Sequence, residues 1–298
     1  AHARIISVDK SKAEAVPGVV LVMSGADVAK VTGELPSFAA PPVPQRCVAL
    51  DRVRHVGETV AAVVAESRAI AEDACELIEV VYEELPPVVD MEEAITMTGD
   101  AVLHPERGNT NVALARKLDF GPVEEDFAAA DVVVERHLRW PRSGGQPLET
   151  AGAVGSYDPG MNKYEIYANT QMYTFIGWTI ARSLGVPSKN VNIIPTLAGG
   201  SFGAKVFLHK IMALVATLAR ASGRPVKFLE DRIDDTTSCD AHGSDRIYDA
   251  ELALKKDGTM TSLRFRVVDD YGAYFQFGVG QHGNAMAQVT GPYRINSF

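Results

Sequence analysis

A glycine-rich stretch at residues 198–205, which reads Ala-Gly-Gly-Ser-Phe-Gly-Ala-Lys, has the composition of an anion-binding loop. It follows a predicted buried strand at 191–194 and precedes a predicted helix at 206–222, which Gly223 ends. Glycines let the backbone approach a ligand closely, and a helix start offers unpaired N–H groups and a positive dipole end. A tight packing turn that binds nothing is an equally good interpretation of the loop alone.

Two common phosphate-binding templates do not fit this stretch. The Walker loop requires Gly-Lys-Ser/Thr, whereas Ala204 separates Gly203 from Lys205. The dinucleotide-binding fingerprint requires a glycine where this chain has Ala198, and the preceding residues do not give a βαβ unit of the right size. A nucleotide-dependent oxidoreductase that uses this glycine loop stays open as an alternative.

The loop resembles the Gly-Gly-Gly-Phe-Gly-x-Lys loop of the molybdenum hydroxylases, the family of xanthine oxidase, carbon-monoxide dehydrogenase and aldehyde oxidoreductase. This chain departs from that pattern once, with Ser201 at the third glycine. Other segments resemble family segments in the same order, namely residues 147–150, 169–171, 223–227, 230–232, 256–258 and 270–274. The resemblance covers nearly the whole chain and indicates the N-terminal portion of the large, molybdopterin-binding subunit.

The resemblance implies which residues face the molybdenum-pyranopterin cofactor, in its molybdopterin or cytosine dinucleotide form. They are the glutamine after a predicted hairpin and the glycine-rich loop: Gln171, Gly199, Gly200, Ser201, Phe202 and Gly203. For Gln171 the alternative is a cap for the next helix. We expect the backbone N–H groups of residues 200–203, together with Gln171, to face the cofactor.

Two further positions concern the substrate. Val206 stands where purine-binding family members carry a glutamate, and Asn284 stands near where they carry an arginine. Because neither charge is present, a polar heterocycle would lose its ion-paired and bidentate contacts. The resemblance therefore implies a small, less polar substrate, either an aldehyde, an N-heteroaromatic compound or carbon monoxide, rather than xanthine.

The resemblance also implies an oxidoreductase that hydroxylates or oxidises a carbon centre, with water as the oxygen source. Electrons would leave through iron–sulfur clusters in a partner subunit, with an FAD-binding flavin subunit as a further candidate. The chain would also need the remainder of the large subunit. An alternative from another class is a degenerate copy that serves as a non-catalytic assembly module.

We expect no catalytic residue in this chain. The family's general base is a glutamate in a Gly-x-Gly-Glu segment, and the similar segment here ends in Gln281, whose amide is not basic near neutral pH. Two acids remain, Glu149 and Asp270, and we interpret Glu149 as a hydrogen-bonded acid that closes a loop. The base is therefore expected outside the chain, and an isolated 298-residue fragment should be inactive.

Composition excludes several other classes of function. The net charge is −9 with no run of Lys or Arg, which disfavours nucleic acid. No apolar run approaches the roughly 18 residues of a membrane span. The three cysteines are far apart and the histidines show no ligand spacing, so we expect no metal or iron–sulfur site within the chain and a reducing, cytoplasmic location.

Hydrophobic patterning predicts an α+β protein in three parts. Residues 1–97 alternate strands with one helix, at 68–78, and the family resemblance implies a small hammerhead-like α+β domain here. Residues 98–127 form a linker that we expect to wrap the second domain, which occupies 128–298 as the first part of a cofactor-binding α+β domain. There we predict hairpins at 151–168 and 247–268, a helix at 173–184 and a solvated loop at 231–246.

Overall fold

The computed structural model describes residues 1–37, 41–238, 243–274, 283–284 and 286–298. These residues form four separate sheets, of three, four, three and two strands, with helices packed between them. The mixture of mainly antiparallel sheets and helices confirms the predicted α+β class. Within the described ranges, no helix combines the length and the apolar character that crossing a membrane requires.

The N-terminal part contains two small sheets. Its strands are β1 (Ala3–Asp9), β2 (Val19–Ser24), β3 (Arg52–Val53), β4 (Ala61–Ala65) and β5 (Glu79–Glu84). They pair in the orders β3-β1-β5 and β2-β4. Its helices are α1 (Ser11–Glu14), α2 (Gly25–Val28), α3 (Arg68–Glu76) and α4 (Met91–Ala94). Ser67 Oγ accepts a hydrogen bond from the N–H of Ile70 and so caps the start of α3.

The second part contains the other two sheets. Its strands are β6 (Val132–Trp140), β7 (Gly152–Asp158), β8 (Lys163–Ala168), β9 (Val191–Pro195), β10 (Val226–Leu229), β11 (Asp245–Leu254) and β12 (Met260–Asp270). They pair in the orders β10-β7-β8-β9 and β12-β11-β6. Its helices are α5 (Val123–Ala128), α6 (Tyr173–Ser183), α7 (His209–Ser222) and α8 (Arg232–Ser238). The β7–β8 and β11–β12 hairpins confirm both predicted pairs.

Residues 98–127 contact both parts. The guanidinium groups of Arg52 and Arg54 donate to the carbonyls of Val102 and Leu103, at 3.0 and 2.9 Å. Farther along, the N–H of Phe120 donates to the carbonyl of Phe298 at 2.7 Å. The division into parts at residues 97 and 127 stays a prediction.

Helix α7 forms the centre of the core. Met212, Val215 and Ala216 are fully buried in the core that α7 shares with strand β7. The close approach depends on Gly155 in β7, because a Cβ there would lie 2.8 Å from the carbonyl carbon of Val215. The helix ends at Gly223 in the left-handed conformation, as predicted.

The N-terminal part is also fastened to α7. The hydroxyl of Thr32 lies 2.6 Å from that of Thr217, and both side chains are buried. Because the Thr217 hydroxyl donates to the carbonyl of Ala213 at 2.7 Å, its proton is used and Thr32 is the donor. This polar contact therefore joins the two parts at the helix that supports the glycine-rich loop.

Two predictions around the loop are corrected by the structure. Strand β9 is only half-buried, because it is an edge strand paired with β8 alone. The helix does not start at residue 206, since a 3-10 turn at Ala204–Phe207 precedes α7. The carbonyl of Lys205 accepts from the Thr170 hydroxyl at 3.0 Å, so it serves a neighbouring segment instead of a continuous helix.

The predicted solvated loop at 231–246 was wrong, because residues Arg232–Ser238 form α8. The hydroxyls of Thr236 and Thr237 bond to carbonyls one turn back, each at 2.8 Å. Arg232 pairs with the buried Asp235 at 2.7 Å. A helix held by polar contacts has no apolar stripe that a sequence pattern could reveal.

We expect Gly155→Ala to destabilise the protein by about 3 kcal/mol, because the new methyl group would press on the backbone of α7. Gly177→Ala in α6 is the matched control, since its Cβ would lie 3.6 Å from Ile193 Cδ1, an ordinary contact. Alanine in a helix should leave stability unchanged or raise it by up to about 1 kcal/mol. Urea denaturation followed by circular dichroism measures both; equal losses would contradict the close β7–α7 packing.

Candidate functional site

The glycine-rich loop leaves β9 and reaches α7 through unusual backbone conformations. Gly200 and Gly203 adopt φ values of +97° and +92°, which favour glycine. Phe202 adopts φ of +51° although it carries a bulky side chain, and that side chain is 63% exposed. A strained, exposed aromatic residue between two left-handed glycines is typical of a functional loop rather than of a packing turn.

An ion pair anchors both ends of this loop. The Lys205 side chain is only 1% exposed, and its Nζ lies 2.8 Å from Oε2 of Glu149. The same carboxylate oxygen accepts a hydrogen bond from the N–H of Gly199 at 2.7 Å. One acid therefore holds the first glycine and the last residue of the motif, which confirms the interpretation of Glu149 as an acid that closes a loop.

The charge state of Glu149 follows from these contacts. Partial burial acts to raise the pKa of its carboxyl, but the Lys205 ammonium and the Gly199 N–H outweigh this, so the pKa lies below its ordinary value. Glu149 is therefore ionised near neutral pH. As an engaged acceptor it is a poor candidate for a general base.

A second set of contacts ties Gln171 to the loop. The Ser201 hydroxyl accepts from the N–H of Lys205 at 3.1 Å and donates to Oε1 of Gln171. The N–H of Gln171 donates to the carbonyl of Lys205 at 3.4 Å. The N-cap position of α6 is taken by Met172 without a side-chain hydrogen bond, so the alternative role of Gln171 as a helix cap is wrong.

Three backbone N–H groups of the loop are available as hydrogen-bond donors. Among the residues that the structure describes, no acceptor is recorded for the backbone N–H groups of Gly200, Ser201 and Gly203. The carboxylate of Glu149, which contacts the loop, already accepts from the Gly199 N–H and the Lys205 ammonium. Donors without a competing acid suit an anionic, oxygen-bearing ligand.

The two predicted substrate positions are not brought together by a recorded contact. Val206 is half-buried in the 3-10 turn, where its N–H donates to the carbonyl of Gly203 at 3.2 Å. Asn284 is exposed, and the next residue lies outside the described ranges. Gln281 also lies outside them.

Asp270, the other candidate acid, stabilises a turn. Its carboxylate lies 2.9 Å from Arg142 and accepts from the N–H of Gly272 at 2.7 Å. Across the described parts of the chain, no cluster of three or more His, Cys, Asp or Glu side chains is arranged to hold a metal ion.

Sequence reasoning missed the supporting residues of the site. Lys205 and Thr170 lie in segments that carried the family resemblance, but nothing in their spacing showed that Thr170 bonds to Lys205 or that Lys205 reaches back 56 residues to Glu149. Asn169, which is buried, fixes the start of β7 by accepting from the N–H of Gly152 at 3.0 Å. A buried lysine can be recognised only once its partner is placed.

Family comparisons agree with this geometry. Residues 1–86 match the a/b hammerhead domain of aldehyde oxidase and xanthine dehydrogenase, and residues 103–298 match the molybdopterin cofactor-binding domain. The chain therefore belongs to the molybdenum hydroxylase family, which confirms the resemblance drawn from the loop.

Individual relatives cover the chain almost completely. It is 32% identical to the gamma subunit of the 6-hydroxypseudooxynicotine dehydrogenase complex of Paenarthrobacter nicotinovorans, over 100% of the chain and 38% of that subunit. It is 33% identical to the carbon monoxide dehydrogenase large chain of Hydrogenophaga pseudoflava, over 92% of the chain and 35% of the relative. The crystal structure of quinoline 2-oxidoreductase from Pseudomonas putida 86 superimposes with a TM-score of 0.87 at 34% identity, over 99% of the chain and 38% of that protein.

The chain thus spans less than two fifths of the length of each of these relatives. The cofactor-binding alternative is favoured over a nucleotide-binding one, because the matched domain includes the whole glycine-rich loop.

Replacing Glu149 and replacing Lys205 should lower the free energy of unfolding by different amounts. Glu149→Gln leaves the Lys205 ammonium buried without a carboxylate, and we expect a loss of about 2 kcal/mol, below the range for a fully buried pair because Glu149 is partly exposed. Lys205→Met fills the same space and leaves a carboxylate that water and Gly199 still solvate, so it should cost about 1 kcal/mol or less. Urea unfolding at pH 7 compares them; an equal or reversed order would contradict the anchoring role.

The contribution of Glu149 should also depend on pH. Because its pKa is lower in the folded protein than the ordinary 4.5, the unfolded chain takes up the proton first as the pH falls. The stability that Glu149 contributes is therefore present at pH 6 and is lost as the pH falls below about 4.5. The difference in unfolding free energy between wild type and Glu149→Gln should shrink across this window. A difference that stays constant from pH 6 to pH 3 would contradict the assignment.

Proposed function

We propose that this chain holds one side of a molybdenum-pyranopterin cofactor within the large subunit of an enzyme that oxidises a carbon centre. The observation that carries the proposal is the set of backbone N–H groups at Gly200, Ser201 and Gly203 for which no acceptor is recorded among the described residues. The loop that presents them is anchored by the ion pair between Glu149 and Lys205. When bound, the cofactor would supply a two-electron oxidation in which water is the oxygen source. The protein supplies orientation and hydrogen bonds.

Each residue of the proposed site has a distinct role. The N–H groups of Gly200, Ser201 and Gly203 donate to acceptor atoms of the cofactor, and the Gln171 carboxamide donates from the side. The Gly199 N–H donates to Glu149, so Gly199 shapes the loop and does not donate to the cofactor. The exposed ring of Phe202 covers the site against water.

We place the catalytic base outside this chain. Glu149 and Asp270 are both engaged, the first by Lys205 and Gly199 and the second by Arg142 and Gly272. A base must be able to accept a proton near neutral pH, which Glu149 does poorly because Lys205 and Gly199 hold its pKa below the ordinary value.

The substrate is proposed to be an N-heteroaromatic compound, an aldehyde or carbon monoxide. Val206 offers no charge in the 3-10 turn that precedes α7, and the relatives include a quinoline oxidoreductase and a carbon monoxide dehydrogenase. An apolar pocket wall favours a flat, weakly polar compound over a purine with several polar groups.

The remainder of the large subunit is proposed as one partner of the chain. Strand β6 is the edge of its sheet, and three of its large apolar side chains are exposed to solvent. Val132 is 46%, Leu138 53% and Trp140 65% exposed. These even-numbered residues share one face of the sheet. An exposed and largely apolar face, interrupted by Arg136, on an edge strand supports burial against further protein.

Other partners follow from the electron transfer. An iron–sulfur subunit would accept the electrons, and a flavin subunit is the further candidate. The relative from Paenarthrobacter is named as one subunit of a complex, which supports a multi-chain enzyme. We place this enzyme in the cytoplasm, because Cys47 and Cys75 are free thiols.

Elemental analysis of the purified complete enzyme tests the proposal. Wild type should contain close to one molybdenum per large subunit, whereas Gly200→Val should contain less than about a tenth of that, because a side chain there blocks the approach of the backbone. Gly258→Val is the matched control, since Gly258 has a similar φ of +89° but no atom within 4 Å of its Cβ and lies in the distant β11–β12 turn. Wild type without molybdenum would favour the non-catalytic module, and a fully loaded Gly200→Val would refute the loop assignment.

Substrate preference provides a separate test. The enzyme should not oxidise xanthine with a micromolar Michaelis constant, but should oxidise at least one compound in a panel of aldehydes, N-heteroaromatics and carbon monoxide. Val206→Glu should lower kcat/KM for that compound at least about tenfold, because it adds an unpaired carboxylate to a half-buried position. Efficient xanthine turnover by wild type would contradict the assignment of Val206.

A further inference from the structure

The hydroxyl of Ser201 has two partners in the loop. It accepts a hydrogen bond from the N–H of Lys205 at 3.1 Å and donates one to Oε1 of Gln171. A glycine, which the family pattern has at this position, could make neither contact. Ser201 thus connects the helix end of the loop to the side chain that faces the proposed cofactor.

The direction of these bonds follows from counting protons. A serine hydroxyl carries one proton, and the backbone N–H of Lys205 can only donate. The Ser201 proton is therefore available for Gln171, whose Oε1 accepts it. With its Oε1 bound to Ser201, Gln171 still has the two N–H donors of its Nε2 group for another partner.

The backbone of Gln171 is fixed without Ser201. Its N–H donates to the carbonyl of Lys205, the hydroxyl of Thr170 donates to the same carbonyl, and Thr170 and Asn169 are both buried. The Gln171 side chain is exposed, and across the described residues no protein acceptor is recorded for its Nε2. The remaining freedom lies in the side-chain torsions of Gln171, and rotation about the last of them exchanges the oxygen and the nitrogen of the carboxamide.

We propose that Ser201 is a positioning residue that sets the orientation of the Gln171 carboxamide, so that its NH2 group is presented to an acceptor oxygen of the cofactor or substrate. This inference rests on the proposed function, because it requires a ligand beside Gln171. Without the hydroxyl, the amide can turn its oxygen toward that acceptor, and the hydrogen bond becomes a repulsion. The expected effect is about a tenfold loss of catalytic rate, the size of one hydrogen bond.

The test is a double-mutant cycle on the complete, metal-loaded enzyme with its partner subunits. The variants are Ser201→Ala, Gln171→Leu, their combination, and Ser201→Thr, which keeps the hydroxyl. Molybdenum content, kcat, the thermal midpoint and the g-values of the Mo(V) electron paramagnetic resonance signal are measured for each. The cycle separates an effect through Gln171 from an effect on the loop backbone.

Ser201→Ala should keep its molybdenum and thermal midpoint, lose about tenfold in kcat and shift the g-values in the same direction as Gln171→Leu. In the Gln171→Leu background it should cause no further loss, and Ser201→Thr should behave as wild type. An equal loss in both backgrounds would overturn the inference, because the hydroxyl would then act through the Lys205 N–H. Loss of molybdenum in Ser201→Ala, or failure of Ser201→Thr to restore the rate, would also overturn it.

Failure of the proposed function gives a different result. Wild-type enzyme without molybdenum would overturn both the function and the inference, and elemental analysis shows this before any variant is made. A loaded wild type with an additive cycle would leave the function in place and remove only the role of Ser201.

Discussion

The ion pair between Glu149 and Lys205 is the interaction on which the site depends. An ammonium group that is 1% exposed is too costly to bury without a partner, and only one carboxylate is recorded within reach among the described residues. That carboxylate also holds the Gly199 N–H, so a single acid closes the loop at both ends. The loop can therefore expose strained residues such as Phe202 while its ends remain fixed.

The fold places this ion pair between helix α7, which packs in the core, and strand β9, which lies at the edge of its sheet. Helix α7 is buried at residues 212–219 and packs closely on β7 through Gly155, whereas β9 is a half-buried edge strand. The loop between them is held from the core side and faces outward. The Asn169–Gln171 segment at the end of β8 is fastened to the same lysine carbonyl, which brings the predicted glutamine beside the loop.

The elements with strong periodic patterns could be predicted from sequence. The β7–β8 and β11–β12 hairpins and helices α6 and α7 were found because alternation, helical spacing and terminal glycines are local properties. Helix α8 was missed because its helical turns are held by polar contacts of Thr236, Thr237 and Asp235. The edge position of β9 was missed because strand order is a property of the whole sheet.

For the site, the motif pointed to Gln171 and the loop but did not reveal the hydrogen bonds and the ion pair that connect them. The resemblance pointed to Gln171 and the loop, yet the roles of Lys205 and the Ser201 hydroxyl come from contacts across 56 and 30 residues. Such long-range pairs are not encoded in spacing. The roles of Val206 and Asn284 remain predictions, because the described residues record no contact between them.

The most direct test of the central claim is an anomalous difference map at the molybdenum absorption edge, from crystals of the complete enzyme. A loop anchored by Glu149 and Lys205 to hold the cofactor predicts a molybdenum peak on the outer side of residues 200–203, beside Gln171. A fully occupied molybdenum peak elsewhere, with this loop in contact with water alone, would contradict it.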